Sequence, residues 1–387
     1  MARLAGSAKL LRAMNESAAL GHLLDNGALT RNDLRELTGL SKPTTSEVLR
    51  RLTEAGLALV TGHTSGGPGP NAEIYAANPD AAYAVAVSVR ESTNGRPALA
   101  IAISDLTGTT RARAELAVDF DTTTVEAAIR DAVITQCAEA GVPTDRLRRV
   151  QLGVPGSYDP RTDTIHHVHV PGLGRPGLVG ELRRALRTPI GVDNDVNLAA
   201  VAERRRGVAG AADSFALLWF GEGLGLAIDL GGTLLRGASG GAGEIGYMPL
   251  GLFPSPDLRP DLHDVVGGRA VLALAKEHGI DATTPGQAVI QASPAMLAAL
   301  AERIAVGLAV VVAVLDPALV VLAGEVGQAG GTALRDAVLA ATRNASPLDT
   351  EIAVTGLVDD AVLLGALDAA LADVREELIR NLHDLTR

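Results

Sequence analysis

Cysteine is almost missing from this 387-residue chain, where Cys137 stands alone. A single thiol excludes a disulfide framework and any zinc site built from several thiolates, and Cys137 is expected simply to be buried in a helix. Aromatic residues make up only 2% of the chain. Lysine is scarce too, and the resulting bias toward Ala, Gly, Arg and Val carries no chemistry. Long apolar runs are absent as well. The longest, residues 304–315, is bounded by Arg303 and Asp316 and falls short of the roughly 20 residues that span a bilayer. A buried helix is expected there. No signal-peptide pattern opens the chain, so a cytoplasmic protein without membrane segments is expected.

Charge is present but unevenly spread. The chain carries a net charge of −11, yet residues 1–70 hold 8 Lys and Arg against 6 Asp and Glu, a net +2, which leaves −13 for the remainder. An acidic body discourages non-specific contact with nucleic acid, so any such contact falls to the N-terminal segment. The length allows more than one domain, each with a sizeable core.

That N-terminal segment is organised around Leu40-Ser41-Lys42-Pro43-Thr44-Thr45-Ser46-Glu47-Val48-Leu49-Arg50. Ser41 reads as a helix N-cap, and Pro43 falls in the first turn, where a missing N–H costs nothing. Thr45, Val48, Leu49, Leu52 and Ala55 recur at helical spacing on one side. The other side carries Ser41, Lys42, Pro43, Thr44, Ser46, Glu47, Arg50 and Arg51, a short, polar, partly basic face suited to base edges and phosphates in a major groove. Upstream, Leu10, Leu11, Met14, Ala18 and Leu23 predict an amphipathic helix that Asn26-Gly27 stops. Thr30 with Asp33 opens a second helix over 30–38, with Leu34 and Leu37 inward. Gly39 makes the tight turn into the third. Apolar runs at 57–60 and 73–76 flank a Gly/Pro-rich tip at 63–70 and predict a hairpin wing, though the tip has no arginine to place in a minor groove. Three helices and a wing make a winged helix-turn-helix over residues 1–77 that binds double-stranded DNA.

After a linker at Asn78-Pro79-Asp80, strands are expected at 83–90, 98–105 and 111–118, with turns at Asn94-Gly95 and Thr107-Gly108. Helix 125–140, strand 149–154, helix 178–186, strand 190–192 and helix 196–206 follow. A second round begins with strands at 215–220 and 224–230 and a turn at Gly231-Gly232 into 233–236. Helices near 269–277 and 296–315, strand 319–323, a helix near 334–341 and a strand near 352–354 come next. An amphipathic C-terminal helix runs from Leu363 through Leu367, Leu371, Val374, Leu378 and Leu382 to Leu385. Two rounds of three strands followed by helix–strand alternation predict an α/β body of two similar lobes, about 82–192 with the C-terminal helix and about 193–362, with a cleft between them. This is the actin-like (ribonuclease H-like) arrangement of ATPase-type sugar kinases, expected over residues 78–387.

Four stretches carry a family resemblance. Gly153-Val154-Pro155-Gly156, Asp193-Asn194-Asp195-Val196-Asn197-Leu198-Ala199-Ala200-Val201-Ala202-Glu203, Arg236-Gly237-Ala238-Ser239-Gly240-Gly241-Ala242-Gly243-Glu244-Ile245-Gly246 and Leu315-Asp316-Pro317-Ala318-Leu319-Val320-Val321-Leu322-Ala323-Gly324 resemble the ROK family of repressors and kinases, over residues 82–372. A winged helix fused ahead of such a body is similar to the layout of the family's transcriptional regulators of the NagC/XylR type.

The resemblance implies kinase chemistry whose parts are missing here. The family's Asp-x-Gly-Gly-Thr phosphate loop is matched by Val87-Ser88-Val89-Arg90-Glu91-Ser92, without glycines and with a carboxylate that repels phosphate. The second loop, Gly-Thr-Gly in the family, reads Gly221-Glu222-Gly223. Asp229-Leu230-Gly231-Gly232-Thr233 looks like the lost loop but is read as a Gly-Gly hairpin from its place in the chain. Asp195 matches the family's general base, which without a phosphoryl donor transfers nothing. The zinc ligands are missing as well: Tyr247 replaces a histidine, residues 253–267 contain no cysteine, and His263 alone cannot close a tetrahedral site. No metal and no cofactor is expected.

What the resemblance leaves is part of a sugar pocket: Gly156, His169, Asn194, Asp195, Glu244 and Tyr247. Amides and carboxylates suit vicinal hydroxyls. The alternative use of Asn194 and Asp195, as caps of the following helix, stays open. His166, His167 and His169 lack thiolate or carboxylate partners for a metal, although alternation puts His167 and His169 on one strand face. The expected protein is a non-enzymatic transcriptional regulator, more often a repressor. It would bind an inverted-repeat operator as a homodimer or a dimer of dimers and answer to a sugar or sugar phosphate. A body that serves only as a scaffold or senses a non-sugar ligand, and an active sugar kinase with a DNA-binding head, are the competing readings.

Overall fold

A computed structural model describes residues 2–64, 72–90, 98–120, 122–168, 170–251, 260–345, 349–357 and 360–384. Glu91, the Asn94-Gly95 turn, His169, Leu385 and most of the wing tip lie outside these residues, as does the side chain of Leu382.

Helices Ala2–Asn26, Arg31–Thr38 and Lys42–Glu54 precede a hairpin of Ala58–His63 and Glu73–Ala77, whose second strand also pairs with Leu29–Thr30. The short-range signals work as local chemistry requires. The Thr30 hydroxyl accepts the Asp33 N–H, and the Asp33 carboxylate accepts the Thr30 N–H at 2.9 Å, closing a capping box. Gly39 ends that helix at φ 69°, a left-handed conformation that costs glycine little. Ser41 caps the third helix through the Thr44 N–H, and the stripe Thr45, Val48, Leu49 and Leu52 is buried. Apolar expectations fail at Ala18 and Ala55, both exposed, and at four larger residues. Leu10, Leu11 and Met14 are about 60% exposed, because the head core takes Ala19, Leu20, Leu23 and Leu24 from further along the first helix. Leu37 is also exposed, since Leu34 is the one residue of its eight-residue helix that turns fully inward. The Asn78-Pro79-Asp80 segment is a tied-down turn more than a loose linker: the Asn78 amide donates to the Gly56 carbonyl at 2.7 Å, and Arg146 donates to the Asp80 carbonyl at 2.7 Å.

The body holds two five-stranded sheets of identical order. The first runs Ile190–Asn194, Leu147–Val154, Tyr83–Arg90, Ala98–Asp105, Thr110–Ala117; the second runs Glu351–Val354, Leu319–Ala323, Ser214–Phe220, Leu224–Leu230, Thr233–Leu234. In each, the first three strands in sequence pair antiparallel and the last two pair parallel. Short turns permit only antiparallel neighbours, whereas the later strands return through helices and so align parallel. Gly231 and Gly232, at φ 63° and 82°, make the hairpin expected of them, and Asp229 turns to the Gly232 N–H and to Arg204, which excludes a phosphate-loop use.

Helices Asp195–Arg206 and Ala361–Asp384 lie between the sheets, covered by Ala86, Ala100 and Ala102 from one and Phe215, Leu217 and Ala227 from the other. Small residues let the layers close. A Cβ on Gly365 would stand 1.7 Å from the Leu198 carbonyl oxygen, so only glycine fits there. Cys137 is buried in helix Val125–Glu139 on the outer face of the first sheet. Helix Pro294–Leu315 is the one helix among the described residues long and apolar enough to cross a bilayer, but it is not wholly buried as expected. Met296, Leu300, Ile304, Leu308 and Val312 enter the second lobe's core, and Val306, Val310 and Val314 face outward. The helix expected near 334–341 falls in the stretch Gly324–Ala345, which Gly331, at φ 51° and ψ −144°, breaks into two helices.

The C-terminal helix joins body to head. Ala366 and Leu367 lie between the sheets, Ala370, Leu371 and Val374 against the Ala82–Ala84 edge, and Leu378 and Ile379 in the head's own core.

Candidate nucleic-acid interface and ligand cleft

The recognition helix presents Ser41, Lys42, Pro43, Glu47 and Arg50 to solvent, with Thr44, Ser46 and Arg51 partly covered. Its expected basic character does not survive packing. Arg51 is turned inward onto the buried Glu16 of the first helix, at 2.6 Å, and so braces the recognition helix instead of facing a groove. Arg50 remains outside but lies between Glu47 and Glu54, one turn to either side, at 2.5 and 2.6 Å. Arg50 holds the Glu47 carboxyl below the usual carboxylate range. The Ser41 and Thr44 hydroxyls share a hydrogen bond of 2.8 Å, and Ser46 donates to the Lys42 carbonyl. Among the described residues, Lys42, in the first turn, is the cation of this helix that makes no ion pair. In the wing, Arg31 fixes the strand Glu73–Ala77 by bonding both Glu73 and Tyr75.

The second site lies where the strand Ile190–Asn194 hands over to helix Asp195–Arg206. Asn194 caps that helix, its Oδ1 accepting the Val196 and Asn197 N–H groups at 2.8 and 3.3 Å, while its Nδ2 donates to the Gly156 carbonyl at 3.1 Å. The capping use left open in the sequence is therefore realised, and it ties two of the expected pocket residues together. Gly156, at φ 146°, lies so close to the His166 carbonyl that a Cβ would sit 2.3 Å from it. Asp195 is half-buried. Loss of hydration, reinforced by the nearby Glu244 charge, pushes its pKa up to about 7 against the pull of the Val196 N–H. Burial also raises Glu244, while His167 and the Ser157 hydroxyl draw it back. Tyr247 stands at the rim, 57% exposed, with its ring 5.1 Å from that of His167. The strand ends at His166, and His167 takes a left-handed φ of 58°, so His167 itself is not in a strand, while His169 lies outside the described residues. The loop bearing Glu244 is pinned across the cleft. Arg236 grips Asp193 at 2.9 and 2.7 Å, and Gly240 lies against the Tyr158 backbone.

Residues 93–373, most of the body, match the ROK family. The chain belongs to the ROK family. Residues 11–63 match the MarR family, within the winged-helix head. The chain is 23% identical to the xylose repressor of Caldicellulosiruptor bescii, over 95% of this chain and 98% of that one. It is 29% identical to the glucokinase of Halalkalibacterium halodurans, over 48% of this chain and 64% of that one. Among solved structures, a ROK family transcriptional regulator described as a homolog of E. coli Mlc superposes with a TM-score of 0.73 at 19% identity, covering 97% of this chain and 99% of that one. The ROK hexokinase from Thermus thermophilus superposes with a TM-score of 0.63 at 25% identity, covering 76% and 99%.

The groups that ROK enzymes use do not fit the residues present. At Gly221-Glu222-Gly223, the stretch expected to match a phosphate loop, Glu222 faces solvent, and the carboxyl of Glu325 is raised by burial and by the Glu222 charge. Two carboxylates there oppose a nucleotide's phosphates. Arg90, in the strand that leads to the first loop, is held by Asp360 and Glu115. For zinc, burial together with Glu244 and Asp261 raises the Tyr247 phenol, which stays neutral and is a poor ligand, and among the described residues no cluster of three metal-binding side chains forms. Sequence reasoning missed Ser157, the Asp193–Arg236 clamp and the Glu16–Arg51 brace, because each joins residues far apart in sequence. Only the short strand pairing of Ser157 with His166 leaves a local trace, in the Asp-Pro turn after it.

Proposed function

We propose that this ROK protein is a cytoplasmic DNA-binding transcriptional repressor whose kinase-like body senses a carbohydrate and does not phosphorylate it. The observation that carries this reading is the unbroken connection between a winged helix and a ROK cleft through the helix Ala361–Asp384, which contributes to the cores of both. The match to a xylose repressor over 95% of the chain supports it. Two heads on a symmetric dimer would read an inverted repeat, with half-sites about 34–36 Å apart or a multiple of that. In the cleft, Asp195, Glu244 and the free hydrogen of the Asn194 amide supply acceptors and a donor for adjacent hydroxyls, with Gly156 holding the Asn194 amide in place through its carbonyl and Tyr247 at the rim. A ligand held by both lobes favours one degree of closure, and closure moves the helix that carries the heads.

The test is a DNA-binding titration of the full chain on its own upstream region, with and without D-xylose, D-glucose, N-acetylglucosamine and their 6-phosphates where these exist. Specific binding released by one of them is expected. Binding indifferent to all of them would reduce the body to a scaffold. One observation favours the kinase alternative: Asp195, titrating near neutrality, is poised as a base. Sugar-dependent ADP formation from ATP would establish that alternative, and none is expected.

A further inference from the structure

The recognition helix has little free positive charge, since Arg50 lies between two carboxylates and Arg51 is turned onto Glu16. The first helix supplies what is missing. Arg12 is exposed and makes no ion pair among the described residues. It lines, with Asn15 and Glu16, one wall of a groove of about 380 Å³ whose opposite wall is Pro43, Thr44 and Glu47 of the recognition helix. Both carboxylates of the groove are already taken, Glu16 by Arg51 and Glu47 by Arg50. Arg12 is therefore the cation of the groove that no ion pair among the described residues holds, although its charge also reaches the Glu47 carboxylate, and Asn15, three residues on, shares its side of the helix.

We propose that Arg12 seats a DNA backbone phosphate at the mouth of this groove, with the Asn15 amide and the Thr44 hydroxyl as further donors. The inference rests on the DNA-binding reading and names the contact that positions the recognition helix. A duplex that admits the Lys42–Thr44 end of the helix into its major groove carries a phosphate strand along the flank of that helix. A guanidinium there binds phosphate without reading sequence. Arg51 acts behind it, as a brace from inside the head.

The test uses a random-sequence 30-base-pair duplex, the full-length chain, and anisotropy titrations at several salt concentrations between 50 and 200 mM. Arg12→Ala is expected to weaken binding on any sequence and to reduce the slope of log K against log salt by about 0.9 for each head engaged. Arg12→Lys should restore most of that slope, and the melting temperature of Arg12→Ala should match wild type, since the side chain is exposed. Wild-type binding with an unchanged slope in Arg12→Ala would overturn the inference and leave the DNA reading intact. No salt-sensitive binding by the wild type would overturn both.

Discussion

Asp368, buried on the C-terminal helix, takes the guanidinium of Arg206 at two points, 2.7 Å from Nε and 2.6 Å from Nη2. Arg206 ends the helix that Asp195 begins, so this pair fastens the cleft helix to the helix that reaches the head. Arg205 adds a third contact at 3.4 Å. Arg206→Met should leave Asp368 short of its main partner and lower stability by about 2 kcal/mol, less than a fully buried pair because Arg206 is partly exposed and Arg205 remains. Urea unfolding followed by circular dichroism measures this, and an unchanged midpoint would show that the pair is dispensable.

Leu378 lies on the same helix, ten residues further on, and packs into the core of the DNA-binding head. Leu378→Ala should destabilise the head by about 1–2 kcal/mol, the lower range for a partly buried leucine. Hydrogen exchange should report the loss in helices Arg31–Thr38 and Lys42–Glu54 first. Unaltered protection there would mean that the head holds itself together without the body.

Asp195 yields a pH prediction. Its pKa is pushed up to about 7 in the folded chain, above the unfolded value near 4. Between those values the folded state binds more protons than the unfolded one, so this group's contribution to stability falls as pH rises from about 4 to 7. Asp195→Asn removes that loss. It should raise stability at pH 8 by on the order of 1–2 kcal/mol and flatten the pH profile of the melting temperature. A variant less stable than wild type at pH 8 would contradict the assignment.

Glu47 neutralises Arg50 on the face expected to meet DNA. Glu47→Gln should tighten binding to random-sequence duplex and steepen its salt dependence by up to about one per head, while Arg50→Ala should weaken it. If neither variant changes binding, the DNA-facing surface lies elsewhere on the head.

Local signals were legible where the chemistry is local. The Thr30–Asp33 box, the Gly39 stop, the Ser41 cap and the Gly231-Gly232 hairpin all depend on residues within a few positions of one another, and each appears as expected. Leu10, Leu11, Met14 and Leu37 were misread because periodicity identifies an apolar face but not whether a neighbour covers it. Arg50 and Arg51 are adjacent and chemically alike, yet one faces water and the other a buried glutamate 35 residues away.

The sequence by itself therefore determined the winged helix, the two α/β rounds and the family, because capping, periodicity and glycine turns are short-range. Tertiary structure alone decided which charges stay free, that Asn194 caps its helix and also ties it to Gly156, and that Leu378 packs against a core some 300 residues away. Burial and ion pairing are properties of who is adjacent in space, and the chain order does not contain them.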